Sequence, residues 1–167
     1  MGQKFTSAAT SINSHKLPAV YNKVTFSAPV VLDIGCGRYT EHIKNRLSEY
    51  GIDYIPYDPY NQPDDVNKQA CVDAEHYVKI GHPLAVVCSN VLNVIDNDNA
   101  VKTLAKSIQW WVTRSQGTGY VTVYEGDRTG NGRQTGKDSY QRNEPLRAYL
   151  KYFSNARISN GMIIVEA

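Results

Sequence analysis

A mostly parallel, open α/β sheet with helices on both faces, three layers in a doubly wound α/β/α arrangement, is the fold class that this 167-residue chain predicts. Three observations predict it. Short β-branched runs, apolar on both faces, alternate with longer stretches of helical period. The first such run ends in Asp33-Ile34-Gly35-Cys36-Gly37, a strand-to-helix turn at the place where these sheets bind ligands. No internal repeat or linker interrupts the alternation, and the length suits one domain. The expected organisation is a polar N-terminal arm over 1–28 followed by a single domain over 29–167.

The elements follow in order. The arm is rich in Ser, Thr and Asn around Thr6-Ser7 and Thr10–Ser14, which predicts irregular structure. Val30–Ile34 is a strand bounded by Pro29 and Gly35. A helix over 39–50 follows, with Ile43 and Leu47 one turn apart and Gly51 as its stop. The second strand, Asp53–Tyr57, contains Pro56, which lacks a donor and so belongs at a strand end or sheet edge. Val66, Ala70, Ala74 and Tyr77/Val78 space a helix over 64–79, broken by Gly81-His82-Pro83. Leu84–Cys88 is a buried strand. The clearest helix opens on an Asn97/Asp98 cap and runs to Thr113, with Val101, Leu104, Ala105, Ile108 and Trp111 or Val112 on its apolar face. Gly119–Tyr124 is a strand, and Glu125 to Gln141 is a glycine-rich loop longer than the roughly 12–15 residues of an ordinary connection. A helix over 144–153 and a strand over 162–165 complete the chain.

Composition excludes whole classes. With 41% hydrophobic and 20% charged residues the chain is neither a disordered tail nor a fibre. No apolar run approaches the roughly 18–20 residues of a membrane span. The net charge of +2 gives no global basic footprint. Residues 1–9 have no basic stretch leading into an apolar one, so no secretory signal is expected. Cys36, Cys71 and Cys88 are odd in number and form no C-x-x-C pair, which predicts reduced thiols, a cytoplasmic setting and no thiolate zinc site. His15, His42, His76 and His82 show no metal-ligand spacing, so no metal is expected.

The candidate chemistry begins at Asp33-x-Gly35-Cys36-Gly37. The two glycines let the backbone approach a ligand. A dinucleotide fingerprint needs a third glycine at position 40, where this chain has Thr40, and the Asp33 carboxylate suits a cationic group better than a pyrophosphate. Asp58 ends the second strand 21 residues past Gly37, where an acidic group reaches ribose hydroxyls. Ser89, Asn90 and Asn93 leave the next strand and open on the same crevice.

This order, D-x-G-x-G, then an acidic residue after strand two, then a polar turn, resembles the Rossmann-like class I S-adenosylmethionine-dependent methyltransferases over about residues 28–125. Tyr57-Asp58-Pro59-Tyr60 and Val91-Leu92-Asn93-Val94-Ile95 resemble more particularly small methyltransferase-like proteins of bacteria and their phages, which would place the chain in a host cytoplasm. The resemblance implies S-adenosylmethionine as cofactor and S-adenosylhomocysteine as its product. It implies that Asp33, Gly35, Cys36 and Gly37 hold the methionine end, bordered by Tyr39. Asp58, with Pro59 and Tyr60, would take the ribose, and Ser89, Asn90 and Val91 would face the sulfonium. An adenine-side carboxylate is expected too, for which Asp64, Asp65, Asp73 and Glu75 all remain candidates. The Pro-Pro-aromatic turn of amino-base methyltransferases is replaced here by Ser89-Asn90-Val91-Leu92, and no Pro-Cys pair exists for cytosine C5 chemistry.

Methyl transfer chiefly demands alignment of nucleophile, methyl and sulfur, with a base where a proton must leave. Asn90, Glu125 and Asp127 are the candidate catalytic residues. Between 128 and 142 four cations, Arg128, Arg133, Lys137 and Arg142, face one anion, Asp138. With Tyr140 and Asn93 they are candidate contacts for a nucleic acid or an anionic small-molecule acceptor, on a loop able to close as a lid. Two other readings compete with methyl transfer. One is an inactive module of the same fold that binds nucleic acid or a host protein through the 126–142 loop. The other is an enzyme that consumes S-adenosylmethionine without methylating a macromolecule.

Overall fold

The computed structural model describes residues 14–167. Six strands form one sheet in the order β2-β1-β3-β4-β8-β7, with β1 at Val30–Ile34, β2 at Asp53–Tyr57, β3 at Leu84–Ser89, β4 at Thr118–Thr122, β7 at Ala156–Ser159 and β8 at Met162–Glu166. The first four run parallel, whereas β8 runs antiparallel to both β4 and β7. This is a mostly parallel, mixed α/β sheet flanked by helices, compatible with a Rossmann-like fold. Pro56 lies in β2, an outermost strand, so its missing N–H costs the ladder nothing.

Side-chain alternation on the strands divides the core into two layers. Val30, Leu32 and Ile34 of β1 and Leu84, Val86 and Cys88 of β3 face α3 (Asp64–Lys79) and α4 (Asp98–Ser115). Val31, Ala85 and Val87 face the other way, onto α1 (Val20–Lys23) and α2 (Glu41–Ser48). These central strands are buried on both sides, which is why they read as unbroken apolar runs. Helix α4 carries Val101, Ala105, Ile108 and Val112 on one face, and its cap residue Asn97 accepts a hydrogen bond from the Ala100 N–H at 3.0 Å. Of its two tryptophans, Trp111 packs on the core while Trp110 lies 49% exposed under the Arg114 guanidinium.

The structure departs from the sequence expectations in four places. Residues 1–13 lie outside the described residues, but from Leu17 onward the stretch expected to be irregular packs on the sheet, with Val20 and Tyr21 of α1 buried. The 126–142 segment is not an open loop throughout: β5 (Arg133–Gly136) and β6 (Ser139–Gln141) pair as an antiparallel hairpin. The helix expected over 144–153 is a 3-10 helix, Leu146–Tyr152, led in by Pro145. Strand β7 was not foreseen. Its signal is Asn160-Gly161, whose φ values of 51° and 69° make the two-residue turn that joins β7 to β8.

Among the described residues no helix is long and apolar enough to cross a membrane. Ile108 is wholly buried between α4 and the sheet. Ile108→Ala is expected to cost about 3 kcal/mol in urea unfolding, through lost transfer energy and the cavity left behind. Trp110→Ala on the same helix should cost less than about 1 kcal/mol, because its ring is half in water.

Candidate functional site

The site forms where the chain leaves β1 toward α2 and leaves β3 toward α4, the point at which the winding of the sheet reverses. Gly35 and Gly37 have φ of 80° and 81°, a region costly for residues with a Cβ. A side chain on Gly35 would also collide with Val91 from the turn after β3. Here the two turns touch. The Gly35 and Cys36 N–H groups donate to the Tyr57 carbonyl at 2.7 and 3.3 Å, so the glycine turn is stitched to the end of β2.

Two clefts of opposite character meet at Gly35. The polar one, about 310 Å³, is lined by Asp33, Cys36, Tyr39, Ser89 and Asn90 together with Lys16, Asn22 and His42. Tyr39 stacks on His15 at its rim, with ring centroids 4.0 Å apart. The apolar one, about 390 Å³, is walled by Ile34, Tyr57, Pro59 and Tyr60 on one side and Val91, Ile95, Ala100 and Leu104 on the other. Both sizes fall in the range of small-ligand sites.

Asp33 is the buried carboxylate of the polar cleft, which Lys16 also lines. It is 2% exposed, and its Oδ2 accepts the hydroxyls of Tyr21 at 2.9 Å and Tyr54 at 2.6 Å. Its Oδ1 has no hydrogen-bond partner among the described residues. Burial pushes the carboxyl up to about 6, the two tyrosine hydrogen bonds oppose that rise, and the Asp58 charge adds to it. Burial and the same carboxylate hold both tyrosine hydroxyls well above their ordinary value, so they remain donors. The Cys36 thiol is raised far out of reach of ionisation, first by burial and then by Asp33 and Asp58. It is an inert wall.

Asp58 is placed differently from the expectation of a free ribose acceptor. Equally buried, it accepts from the Gly37 N–H at 2.9 Å, the Tyr60 N–H at 2.9 Å, the Asn61 N–H at 3.1 Å and the Asn61 side-chain amide at 3.0 Å. Each oxygen already holds two donors. Only the Asn61 side chain can swing away without unmaking backbone.

The turn after β3 reaches the site as expected for Ser89, Asn90 and Val91. Asn90 takes φ of 58°, which asparagine tolerates better than most residues. Its N–H donates to the Thr122 carbonyl at 2.9 Å, and Thr122 Oγ1 donates to Ser89 Oγ at 3.0 Å.

The other candidates are not brought to either cleft. Asn93 is buried and donates to Gln141 Oε1 at 3.1 Å, while its own Oδ1 is buried without a partner. Arg142 turns inward: it donates to the Ile95 carbonyl at 2.8 Å and pairs with Asp98 and Glu144. Glu125 accepts from Arg128 at 2.9 Å and from the Leu146 N–H at 2.7 Å. Asp127 caps the Thr129 N–H and hydroxyl, and those bonds hold its carboxyl below the usual range. Arg133 and Tyr140 sit on the β5–β6 hairpin, Arg133 in water and Tyr140 over Gly132. Of the adenine-side candidates, Asp64 and Asp65 open α3 in solvent, Asp73 accepts from Gln69 and Glu75 pairs with Arg114.

Sequence reasoning missed Tyr21 and Tyr54, the partners of Asp33, and the apolar wall on α4. That wall did carry a signal. Ala100, Thr103, Leu104 and Ser107 recur at i, i+3, i+4 and i+7, a second stripe beside the core-facing one. Among the described residues no group of His, Cys, Asp and Glu is placed to hold a metal ion.

Two predictions follow from the paired carboxylates and the hairpin anchor. Asp33 titrates near 6 in the folded chain against an ordinary 3.8, so the folded state holds a proton that the unfolded chain has lost. Stability is therefore fully present below about pH 4, falls as pH rises toward 6 and stays lower by about 3 kcal/mol above it. Asp33→Asn is expected to raise the melting temperature at pH 7.5 and to lose that gain by pH 4; no gain at pH 7.5 would refute the assignment. Arg142→Met is expected to cost about 2 kcal/mol, since it abandons charged hydrogen-bond partners. Arg133→Ala should change stability by less than about 0.5 kcal/mol, both measured by urea unfolding.

No protein-family model and no curated protein matches the chain.

Proposed function

We propose that the chain binds S-adenosylmethionine across the two clefts and transfers its methyl group to a small nucleophile entering by the polar side. The observation that carries this reading is the meeting, at one glycine, of a cleft holding a buried carboxylate with one lined by apolar and aromatic side chains. Such a pair suits a ligand with a cationic polar end and a flat apolar base. The Oδ1 of Asp33, which has no hydrogen-bond partner among the described residues, would offer the ammonium group an acceptor, while Tyr21 and Tyr54 hold the other oxygen and fix the carboxyl plane. A pyrophosphate would be repelled by the same carboxylate, which disfavours a nicotinamide dinucleotide.

The residues fit the ribose less simply. Ribose hydroxyls would replace the Asn61 amide on Asp58 Oδ2, leaving the backbone donors in place. Tyr57 and Leu104 would sandwich the base, with the Thr103 and Ser107 side chains at the cleft edge. The chemistry supplied by the bound cofactor is a methyl carbon on a positively charged sulfur, open to in-line displacement. The chain's part is alignment and exclusion of water. Asn90 is the one of the three catalytic candidates that borders the polar cleft, so it would orient the acceptor. Glu125 and Asp127 are engaged elsewhere. An acceptor that needs no protein base, such as a thiolate or an amine, agrees best with that arrangement.

Isothermal titration with S-adenosylmethionine, S-adenosylhomocysteine and NAD tests the reading. The first two are expected to bind in the micromolar range and NAD not at all. Affinity for S-adenosylmethionine should weaken by up to about tenfold per pH unit below about pH 6, as Asp33 takes up a proton. Asp33→Asn should remove that pH dependence and weaken binding about tenfold or more. Absence of binding by both ligands would overturn the proposal.

A further inference from the structure

A third cleft, of about 300 Å³, opens on the α1/α2 side of the sheet, beside the polar cleft, with which it shares Asn22. Tyr21 and Asn22 of α1, Thr25 and Phe26 of the following strand approach, and Arg46 and Tyr50 at the end of α2 form its working walls. The aromatic part is preformed. The Tyr21 and Phe26 rings lie 6.0 Å apart, and Phe26 meets Tyr120 edge-on at 5.5 Å.

Arg46 is the only charged residue among the described ones that line this cleft. Its Nε is buried and has no hydrogen-bond partner among the described residues. Its guanidinium rests 5.7 Å from the centre of the Tyr50 ring, and no described carboxylate lies within ion-pair distance. Residues 1–13 contain no Asp or Glu, so they hold no side-chain carboxylate to neutralise it. Protein guanidiniums that are partly dehydrated are ordinarily paired. An unpaired one facing an aromatic cavity with Asn22 and Thr25 as further hydrogen-bonding groups is a site arranged for an anion.

We propose that this cleft binds a small organic carboxylate with an aromatic or apolar body. The guanidinium fork matches a planar carboxylate in two parallel hydrogen bonds, and a single positive charge balances a single negative one. A phosphate would bring a second charge with no partner. The ring of such an acid would lie among Tyr21, Phe26 and Tyr50, in offset or edge contact. The proposal stands independently of the cofactor reading. It does place a ligand one side chain from the polar cleft, since Asn22 borders both and the Tyr21 hydroxyl donates to Asp33.

The test is a titration of the isotope-labelled full chain with sodium benzoate, followed by amide NMR shifts at constant ionic strength, with benzyl alcohol and inorganic phosphate as comparison probes. Saturating shifts are expected in residues 21–26 and 46–52, with benzoate bound about tenfold or more tighter than benzyl alcohol. Arg46→Met should abolish saturation while its spectrum elsewhere confirms the fold, and Arg46→Lys should retain only part of the affinity. Equal binding of benzyl alcohol, persistence of the shifts in Arg46→Met, or no saturation with benzoate would each overturn the site. Phosphate binding as tightly as benzoate would overturn the carboxylate assignment.

Discussion

Everything at the ligand edge of the sheet depends on the Asp58 carboxylate and the donors folded around it. The turn after β1 and the turn after β2 come from strands that are neighbours in the sheet, but neither turn has a regular ladder to hold it. Asp58 supplies the connection by accepting from Gly37 on one side and from Tyr60 and Asn61 on the other. Gln62 adds a second tie, donating to the Gly37 and Arg38 carbonyls at 2.7 and 3.2 Å. Asn67 in α3 completes the web by accepting from the Asp58 N–H and donating to its carbonyl. A buried carboxylate so fully satisfied repays its desolvation in hydrogen bonds. The floor shared by both clefts is thereby fixed before any ligand arrives, which is the condition for precise placement of one.

Asp33 and Asp58 are equally buried yet do different work, and their hydrogen bonds explain the contrast. Asp58 faces backbone donors on both oxygens and functions as a joint. Asp33 has two tyrosine hydroxyls on one oxygen and none on the other, so burial outweighs the hydrogen bonds and its carboxyl titrates near 6. A group held in an environment that disfavours its charged form, beside an open cleft, is an expected mark of a binding residue. The chain would gain stability by losing that charge. The proposed function would supply a cationic partner for that carboxylate.

The parallel part of the fold was legible because β1 and β3 at its centre are buried on both faces and the helices between strands carry apolar residues at helical spacing. The bounds of α3 were read correctly from Val66, Ala70 and Ala74. Beyond β4 the pattern changes character. The β5 strand is exposed along its whole length, so no alternation marks it, and the run after Pro145 winds as a seven-residue 3-10 helix, whose spacing a short sequence stretch does not separate from that of an α-helix. At the site, Gly35, Gly37, Asp33 and Asn90 were visible from motif spacing alone. Tyr21 was not, because its contact with Asp33 arises from the packing of α1 across the sheet, and no local pattern encodes that distance. Asp58 was found by position, but its role in holding backbone follows from the donors around it, which only the folded turn supplies.

The basic segment illustrates why charge in sequence overstates charge in space. Four cations between 128 and 142 suggested a grip on phosphate. In the folded chain Arg142 is buried against Ile95, Asp98 and Glu144, and Arg128 is paired with Glu125 at 2.9 Å. Arg133 and Lys137 remain on the exposed hairpin, with Asp127 and Asp138 near them in sequence. Two phosphate contacts would release too few counterions to give the steep salt dependence of a nucleic-acid interface, since each contributes a slope of only about one in log affinity against log salt. The same inward pairing gives the hairpin another effect. Gln141 bonds Asn93 and the Tyr124 carbonyl, and the Arg142 N–H donates to the Asn93 carbonyl at 2.9 Å. The hairpin therefore braces the segment that carries Asn90, Val91 and Ile95 into the clefts. What the hairpin contributes is rigidity of that wall, delivered through hydrogen bonds of Gln141 and Arg142, while Arg133 and Lys137 face the solvent.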